Sequence, residues 1–294
     1  MLPAPTRSAD PLASALARKV RAGLPGAAVS RPLAAGRGWR VLDVVCTSGP
    51  QDRPFEERHA VASFSLVLSG TFVYRSTRGA SLLSPGALLL GNAGHAFECS
   101  HEHGEGDRCL SFQLEPELFD RLAREAGAAR GAFECDRLPP LRALAPLAAR
   151  ARAAVARPDA LEELALELAG CVVLAAARSP RGPQAPAARD EARITRVLRE
   201  MELDPAARHT LAGLARRAGL SPFHFLRIFK ATTGVTPHQW LLRTRLREAA
   251  QRLATSRAPV TQIALDVGFD DLSNFIRSFR AEFGVPPSRH RARA

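Results

Sequence analysis

LAGLARRAGLSPFHFLRIFKATTGVTP (Leu211–Pro237) and VTQIALDVGFDDLSNFIRSFRAEFGVPP (Val260–Pro287) carry one pattern twice. Ala215 aligns with Ala264, Gly219 with Gly268, Arg227 with Arg277, Phe229 with Phe279, Gly234 with Gly284 and Pro237 with Pro287. The offset is 49 residues before the turn and 50 after it, so the second turn carries one extra residue. Each copy reads as a short helix stopped at a glycine, a turn, and a second helix. Glycine accepts the left-handed backbone that ends a helix sharply. Ser221 followed by Pro222, and Asp270 or Asp271 in the second copy, supply the oxygens that cap the next helix. Leu214, Ala215, Phe225 and Phe229 are the expected first core, and Ile263, Ala264, Phe275 and Phe279 the second.

With those side chains inward, the second helix of the first copy presents Phe223, His224, Leu226, Arg227 and Lys230. Its counterpart presents Leu272, Ser273, Asn274, Ile276, Arg277 and Arg280. A helix fits the major groove of B-DNA, where a guanidinium donates two hydrogen bonds to guanine O6 and N7. Arg227 and Arg277 are therefore the leading base readers. Asn274 suits adenine or a phosphate, and Phe223 and Leu272 suit thymine methyls. Lys230, Arg280 and the Arg289–Arg293 tail suit phosphates, which position without specifying. Pro237 opens a long helix with Leu242, Leu246, Ala249 and Leu253 along one stripe. About eighteen residues of it span roughly 27 Å, compatible with a DNA turn of roughly 34 Å. Any single arginine reads equally well as part of a solvated face. For the whole pattern, stops, caps, cores and charged faces agree, which weighs against that reading.

Net charge supports the same location. The chain has 294 residues and a net charge of +12, and only Lys19 and Lys230 among its 41 basic residues are lysines. From Asp190 onward 18 Lys/Arg face 10 Asp/Glu, whereas the preceding residues hold 23 against 19. That excess falls in the duplicated third, where nucleic acid would be met. The length suits two domains. Five cysteines do not make a secreted disulfide scaffold. The N-terminus has no continuous apolar stretch of signal-peptide kind, and the longest apolar run, Cys171–Ala177, is too short to cross a bilayer. A cytoplasmic protein without a membrane partner is expected.

Residues 1–38 read as an N-terminal extension, with a short helix at Pro11–Ala22. From Trp39 to about Leu114, the β-favouring runs WRVLDVVC, SFSLVLSGTFVYRS, ASLLSPGALLLGN and CLSFQL suggest six to eight strands in a barrel or sandwich. Pro116–Ala126, Pro140–Ala156 and Ala160–Ala177 read as helices with Pro near their openings. Ile194, Val197, Leu198 and Met201 mark a lead-in helix. Between them, SPRGPQAPAARD lacks apolar periodicity. The expected division is a 1–38 extension, a 39–178 sensor or dimerisation domain, a 179–189 linker and a 190–294 DNA-binding domain.

Residues 190–292 resemble the AraC/XylS family of bacterial transcription regulators. The likeness is carried by Ile263, Ala264, Gly268 and Phe269, by Phe275–Arg280, and by Gly284, Pro287 and Arg291. Leu226 and Leu272 are apolar where some members place polar base readers. The resemblance implies a sequence-specific regulator, an activator that recruits RNA polymerase to promoter DNA. Its N-terminal half would sense a small-molecule effector or form a homodimer. GTFVYRSTRGASLLSPGALLLGNAGHAF, with the Pro85-Gly86 turn and His95, is similar to the cupin barrel of many members, which places the effector in the barrel mouth. The fold class implied is α+β: a cupin-like β-barrel with a helical hairpin, then an all-α domain of two helix-turn-helix motifs joined by a long helix.

HAFECSHEHGEGDRC brings further chemistry. Strand alternation puts Cys99, His101 and His103 on one face, where they would bind zinc or another transition metal, with His59 opposite. Gly104 and Gly106 equally suit a turn with its histidines in water. Cys99 and Cys109 read as a redox pair or as buried thiols. Either cluster would make a metal- or redox-responsive regulator. A cupin enzyme fused to a DNA-binding module is the third reading. The HxH follows the Pro-Gly turn and no catalytic carboxylate pair accompanies it, so no enzyme is expected. Leu161–Ala177 is a candidate dimer surface, or else packs on its own barrel.

Overall fold

A computed structural model describes residues 10–293, apart from 55, 102–103, 128–130, 158–159 and 180–187. Helix α1 (Pro11–Ala22) starts where the Asp10 carboxylate accepts from the Leu12 amide, and it stops at left-handed Gly23. Ten strands follow among the described residues: β1 (Ala28–Gly36), β2 (Trp39–Cys46), β3 (Glu56–Arg58), β4 (Ala62–Gly70), β5 (Phe72–Ser76), β6 (Gly79–Leu83), β7 (Leu88–Gly91), β8 (Ala96–Ser100), β9 (Asp107–Leu114) and β10 (Arg137–Leu138). They form a six-stranded sheet in the order β1-β2-β9-β4-β7-β10 and a four-stranded sheet in the order β3-β8-β5-β6. These two sheets are the β-rich unit, called the barrel below.

The six-stranded sheet reaches back into the stretch read as an extension. β1 pairs with β2 from Ala28–Cys46 to Gly36–Trp39, and Pro32 sits at a register shift where its missing N–H is tolerated. β1 is mostly exposed, so it lacks the apolar alternation that marks a strand. The run SFSLVLSGTFVYRS is two strands, β4 and β5, in different sheets. It breaks at Gly70, whose φ of 79° permits the bend.

Helices follow β9: α2 (Pro116–Glu125), a short 3-10 turn (Arg142–Leu144), α3 (Ala145–Ala154) and α4 (Leu161–Ala177). α3 opens later than the expected Pro140, because Pro146 takes the first-turn position that tolerates proline. α4 packs on its own barrel: Leu161, Leu164, Leu168 and Val172 join Val41, Phe64, Leu110 and Phe112 in one core. Most of the expected linker lies outside the described residues.

The remainder is helical: α5 (Ala188–Leu203), α6 (Leu211–Arg217), α7 (Pro222–Thr233), α8 (Pro237–Thr255), α9 (Val260–Asp266), α10 (Leu272–Phe283) and α11 (Pro287–Arg293). Ile194, Val197, Leu198 and Met201 of α5 are fully buried against Leu214, Phe225, Phe229 and Trp240. Val73 and Leu82, from the four-stranded sheet, share that core. Leu246, Ala249, Leu253, Ile263, Phe275, Phe279 and Phe283 make a separate core, on which Ala145 and Ala149 of α3 pack. At about 1.5–3 kcal/mol for each fully buried large side chain, these cores fix the repeats as units. No helix among the described residues is long and apolar enough to cross a membrane.

Candidate nucleic-acid interface

Both turns form as their glycines and caps require. Gly219 and Gly268 take φ of 65° and 93°. Ser221 Oγ accepts from the His224 amide at 3.4 Å, opening α7. Of the two candidate caps in the second copy, Asp271 is the one used: its carboxylate accepts from the Ser273 and Asn274 amides at 2.9 and 3.2 Å. The phenylalanine faces turn inward, with Phe225–Phe229 and Phe275–Phe279 ring centroids 5.5 and 5.6 Å apart.

That leaves the opposite faces outward. On α7, Arg227 and Lys230 are exposed, Phe223 stands 79% exposed, and His224 and Leu226 are half-buried. On α10, Leu272, Ser273, Asn274, Ile276, Arg277 and Arg280 are all exposed. Exposure of Phe223, Leu272 and Ile276 costs solvation unless a partner covers them, which suits a contact surface. Arg277 Nη2 donates to Asn274 Oδ1 at 3.2 Å, so the two polar side chains are held side by side.

α8 joins the repeats. Thr236 and Gln239 cap it reciprocally, the Gln239 amide donating to Thr236 Oγ1 at 3.3 Å and the Thr236 amide to Gln239 Oε1 at 3.1 Å. One residue of α8 went unread in the sequence. Arg245 donates from Nε to the Pro205 carbonyl at 2.7 Å, and from Nη1 and Nη2 to the Gly268 and Ala207 carbonyls at 2.8 and 3.0 Å. Its planar fork therefore ties the loop before α6 to the turn before α10. Burial lowers its pKa, and nothing in the spacing of a basic helix distinguishes such an inward arginine from an outward one.

A second unread element runs along the other ends of α7 and α10. Arg137 donates to the Thr232 carbonyl at 2.5 Å, and Arg142 to the Ala281 carbonyl at 2.6 Å. Each arginine thus meets the last turn of one helix, where carbonyls lack intrahelical partners and the dipole favours a cation. Between them Pro139 lies against Gly234, and Arg243 donates to the Pro140 carbonyl. Burial brings the Arg137 pKa down to about 10. The segment from Arg137 to Arg142 is a strap from barrel to both repeats. Nearby, Arg152 donates to the Leu68 carbonyl, and the Gly70 amide donates to Glu202 Oε1 at 3.4 Å. Burial lowers the Arg247 pKa to about 10 and raises that of Glu202.

The Cys/His cluster is arranged differently from the alternation expected. β8 ends at Ser100, so Cys99 lies on the strand and His101 beyond it. His103 lies outside the described residues. His101 Nε2 bonds Asp107 Oδ1 at 2.7 Å, and Cys46, from the distant β2, joins them. Burial works against the charged ring, but Asp107 and Cys46 together, through hydrogen bonds and charge, lift the His101 pKa to about 9. His59 bonds the Tyr74 hydroxyl at 3.0 Å and stacks on Phe97 at 4.2 Å, and burial lowers its pKa to about 4. Burial pushes the Cys99 and Cys109 thiols well up, which keeps them protonated and unlike the exposed thiolates of redox sensors.

Comparison with known proteins bears on both halves. Residues 214–293 match a family model described as a helix-turn-helix domain, and residues 43–169 one described as an AraC-like ligand binding domain. The HTH-type transcriptional activator AarP of Providencia stuartii is 32% identical over 98 residues, 33% of this chain and 73% of that protein. LumQ of Photobacterium leiognathi is 38% identical over 81 residues, 28% of this chain but only 33% of that protein. The chain thus spans about a third of the length of LumQ. The DNA-binding domain of AdpA, solved in complex with a target DNA, is 30% identical, covering 35% of this chain and 90% of that one, with a TM-score of 0.33.

Proposed function

We propose, for a chain that belongs to the AraC family of transcription regulators, a promoter-binding regulator controlled through its barrel. The observation that carries this reading is the outward placement of Arg227 and Arg277 on two capped helices, with Phe225, Phe229, Phe275 and Phe279 buried behind them. Arg227 and Arg277 read guanines. Asn274 reads adenine or binds phosphate, and Phe223 and Leu272 meet thymine methyls. Lys230 and Arg280 bind phosphate, while Ser273, His224 and Leu226 border the contact.

Residues 190–294 are the DNA-binding unit, reached through a 179–189 linker. The preceding barrel is the sensor, with β1 added to the 39–178 span. A small-molecule effector in the barrel mouth would act through the Arg137–Arg142 strap, since the same segment holds both recognition helices. We read the protein as an activator that contacts RNA polymerase, works in the cytoplasm as a homodimer, and has no catalytic role.

The test is a gel shift of the full chain on genomic promoter fragments over a salt series. Specific complexes should weaken as log K falling by about 0.9 per log salt for each phosphate neutralised. Absence of any salt-sensitive complex would contradict the reading.

A further inference from the structure

We propose that Cys46, His101 and Asp107 form a binding site for a divalent transition cation, zinc by its donor chemistry, at one end of the barrel. Cys46 and Asp107 stand directly opposite each other on β2 and β9, so the sheet register itself brings thiol and carboxylate onto one face. His101 enters from the loop between β8 and β9. One ligand atom from each of the three lies within 4.8 Å of the others. The side chain of His101 is 1% exposed and that of Asp107 is 8% exposed.

An orphaned atom points to a ligand. His101 Nε2 bonds Asp107, while its buried Nδ1 has no hydrogen bond of ordinary length and the Cys46 thiol interacts with the same ring. Leaving a buried polar nitrogen unsatisfied costs about 1–3 kcal/mol, and a metal bond to the imidazole would remove that cost. Cys109 stands beside Asp107, donating from Sγ to its Oδ2 at 3.3 Å, and so brings a second sulfur near the site. Thiolate, imidazole and carboxylate together suit zinc, whereas magnesium and calcium require oxygen shells. Bonds of roughly 2.0–2.3 Å to a tetrahedral ion set donor atoms roughly 3.3–3.8 Å apart, a spacing within the 4.8 Å span of the three side chains. On binding, the Cys46 thiol proton and any imidazole proton leave to solvent, and their lone pairs pass to the ion.

The surroundings are built rather than open. A Cβ at Gly70 would meet the Gly106 carbonyl oxygen at 2.3 Å, and one at Gly106 would meet Leu12 of α1 at 2.8 Å. The loop thus leaves no room for larger residues at either glycine, and α1 covers it. Asp107 also faces Gly70, whose amide donates to Glu202 on α5. The site lies one residue pair from the contact between barrel and DNA-binding half. It stands or falls without reference to DNA binding.

The test uses the full chain, reduced, stripped of metal with a chelator, and titrated with cobalt(II) as a spectroscopic probe. A thiolate-to-cobalt charge-transfer band with tetrahedral d–d bands should saturate near about one ion per chain, bleach with zinc and ignore magnesium. Cys46→Ser, His101→Gln and Asp107→Asn should each weaken uptake at least roughly tenfold, while Cys171→Ser leaves it unchanged. In the unmutated protein, zinc should slow alkylation of Cys46 as mapped by mass spectrometry, which covers the case of a variant that fails to fold. No cobalt band, a band indifferent to Cys46→Ser and His101→Gln, or Cys46 alkylation unaltered by zinc would overturn the proposal.

Discussion

α7 and α10 are built on the same apolar positions, yet they lean on different neighbours. The first repeat shares its core with the barrel, through Val73 and Leu82, and with α5. At the position after α7 where the chain turns into α8, Trp240 is fully buried and its indole N–H donates to Ser84 Oγ at 3.4 Å. The second repeat packs Phe279 and Phe283 4.6 Å apart and meets α3 instead, through Ala145 and Ala149. In the place equivalent to Trp240 it has His290, edge-on to Phe279 at 5.3 Å. Duplication therefore fixes each local core, while single positions such as this one decide what each copy is fastened to.

The largest expected effect separates the two cores. Phe225→Ala and Phe275→Ala should each cost about 3–5 kcal/mol, read by chemical denaturation. Because Trp240 shares a core with Phe225 and not with Phe275, its fluorescence should shift in the first variant and stay near native in the second. Equal shifts would erase the distinction. Next comes the clamp between repeats: Arg245→Lys loses the fork that reaches the Pro205, Ala206, Ala207 and Gly268 carbonyls, at about 1.5–3 kcal/mol. DNA bearing both half-sites should lose affinity, whereas a single half-site should bind as before.

A smaller difference lies in the caps. Asp271 accepts from two amides and Ser221 from one long one, so Asp271→Ala should cost about 1–2 kcal/mol and Ser221→Ala about 0.5. The reverse order in a melting series would break that ranking. Smallest is the pH response. Burial lowers the His290 pKa below its ordinary 6.5. The unfolded chain therefore binds the proton more readily, so stability is full above about 6.5 and falls as pH drops toward the lowered value. Hydrogen exchange at pH 5.5 should loosen the second repeat more than the first, and His290→Phe should abolish the difference.

How much of this was legible follows from the distance along the chain over which each feature is written. The repeats were readable because their stops, caps and phenylalanines recur within about thirty residues, inside the reach of helical periodicity. Asp271 rather than Asp270 needed only local geometry to resolve. Cys46 was invisible as a partner of His101 because strand register, not sequence spacing, sets β2 beside β9. Alternation instead favoured Cys99, on β8, and His103, which lies outside the described residues. Arg137, Arg142 and Arg245 were unreadable for a further reason. A basic residue near a helix carries the same sequence mark whether it meets phosphate or a buried carbonyl.

The central claim is that both recognition helices occupy one stretch of DNA together, and guanine N7 methylation protection on a bound promoter tests it most directly. Two protected patches are expected, centred roughly 10–10.5 base pairs apart on one face of the duplex. Arg227→Ala should expose one patch and Arg277→Ala the other, each at about 1–3 kcal/mol of affinity. A single patch, or both patches fading equally in each variant, would contradict the account.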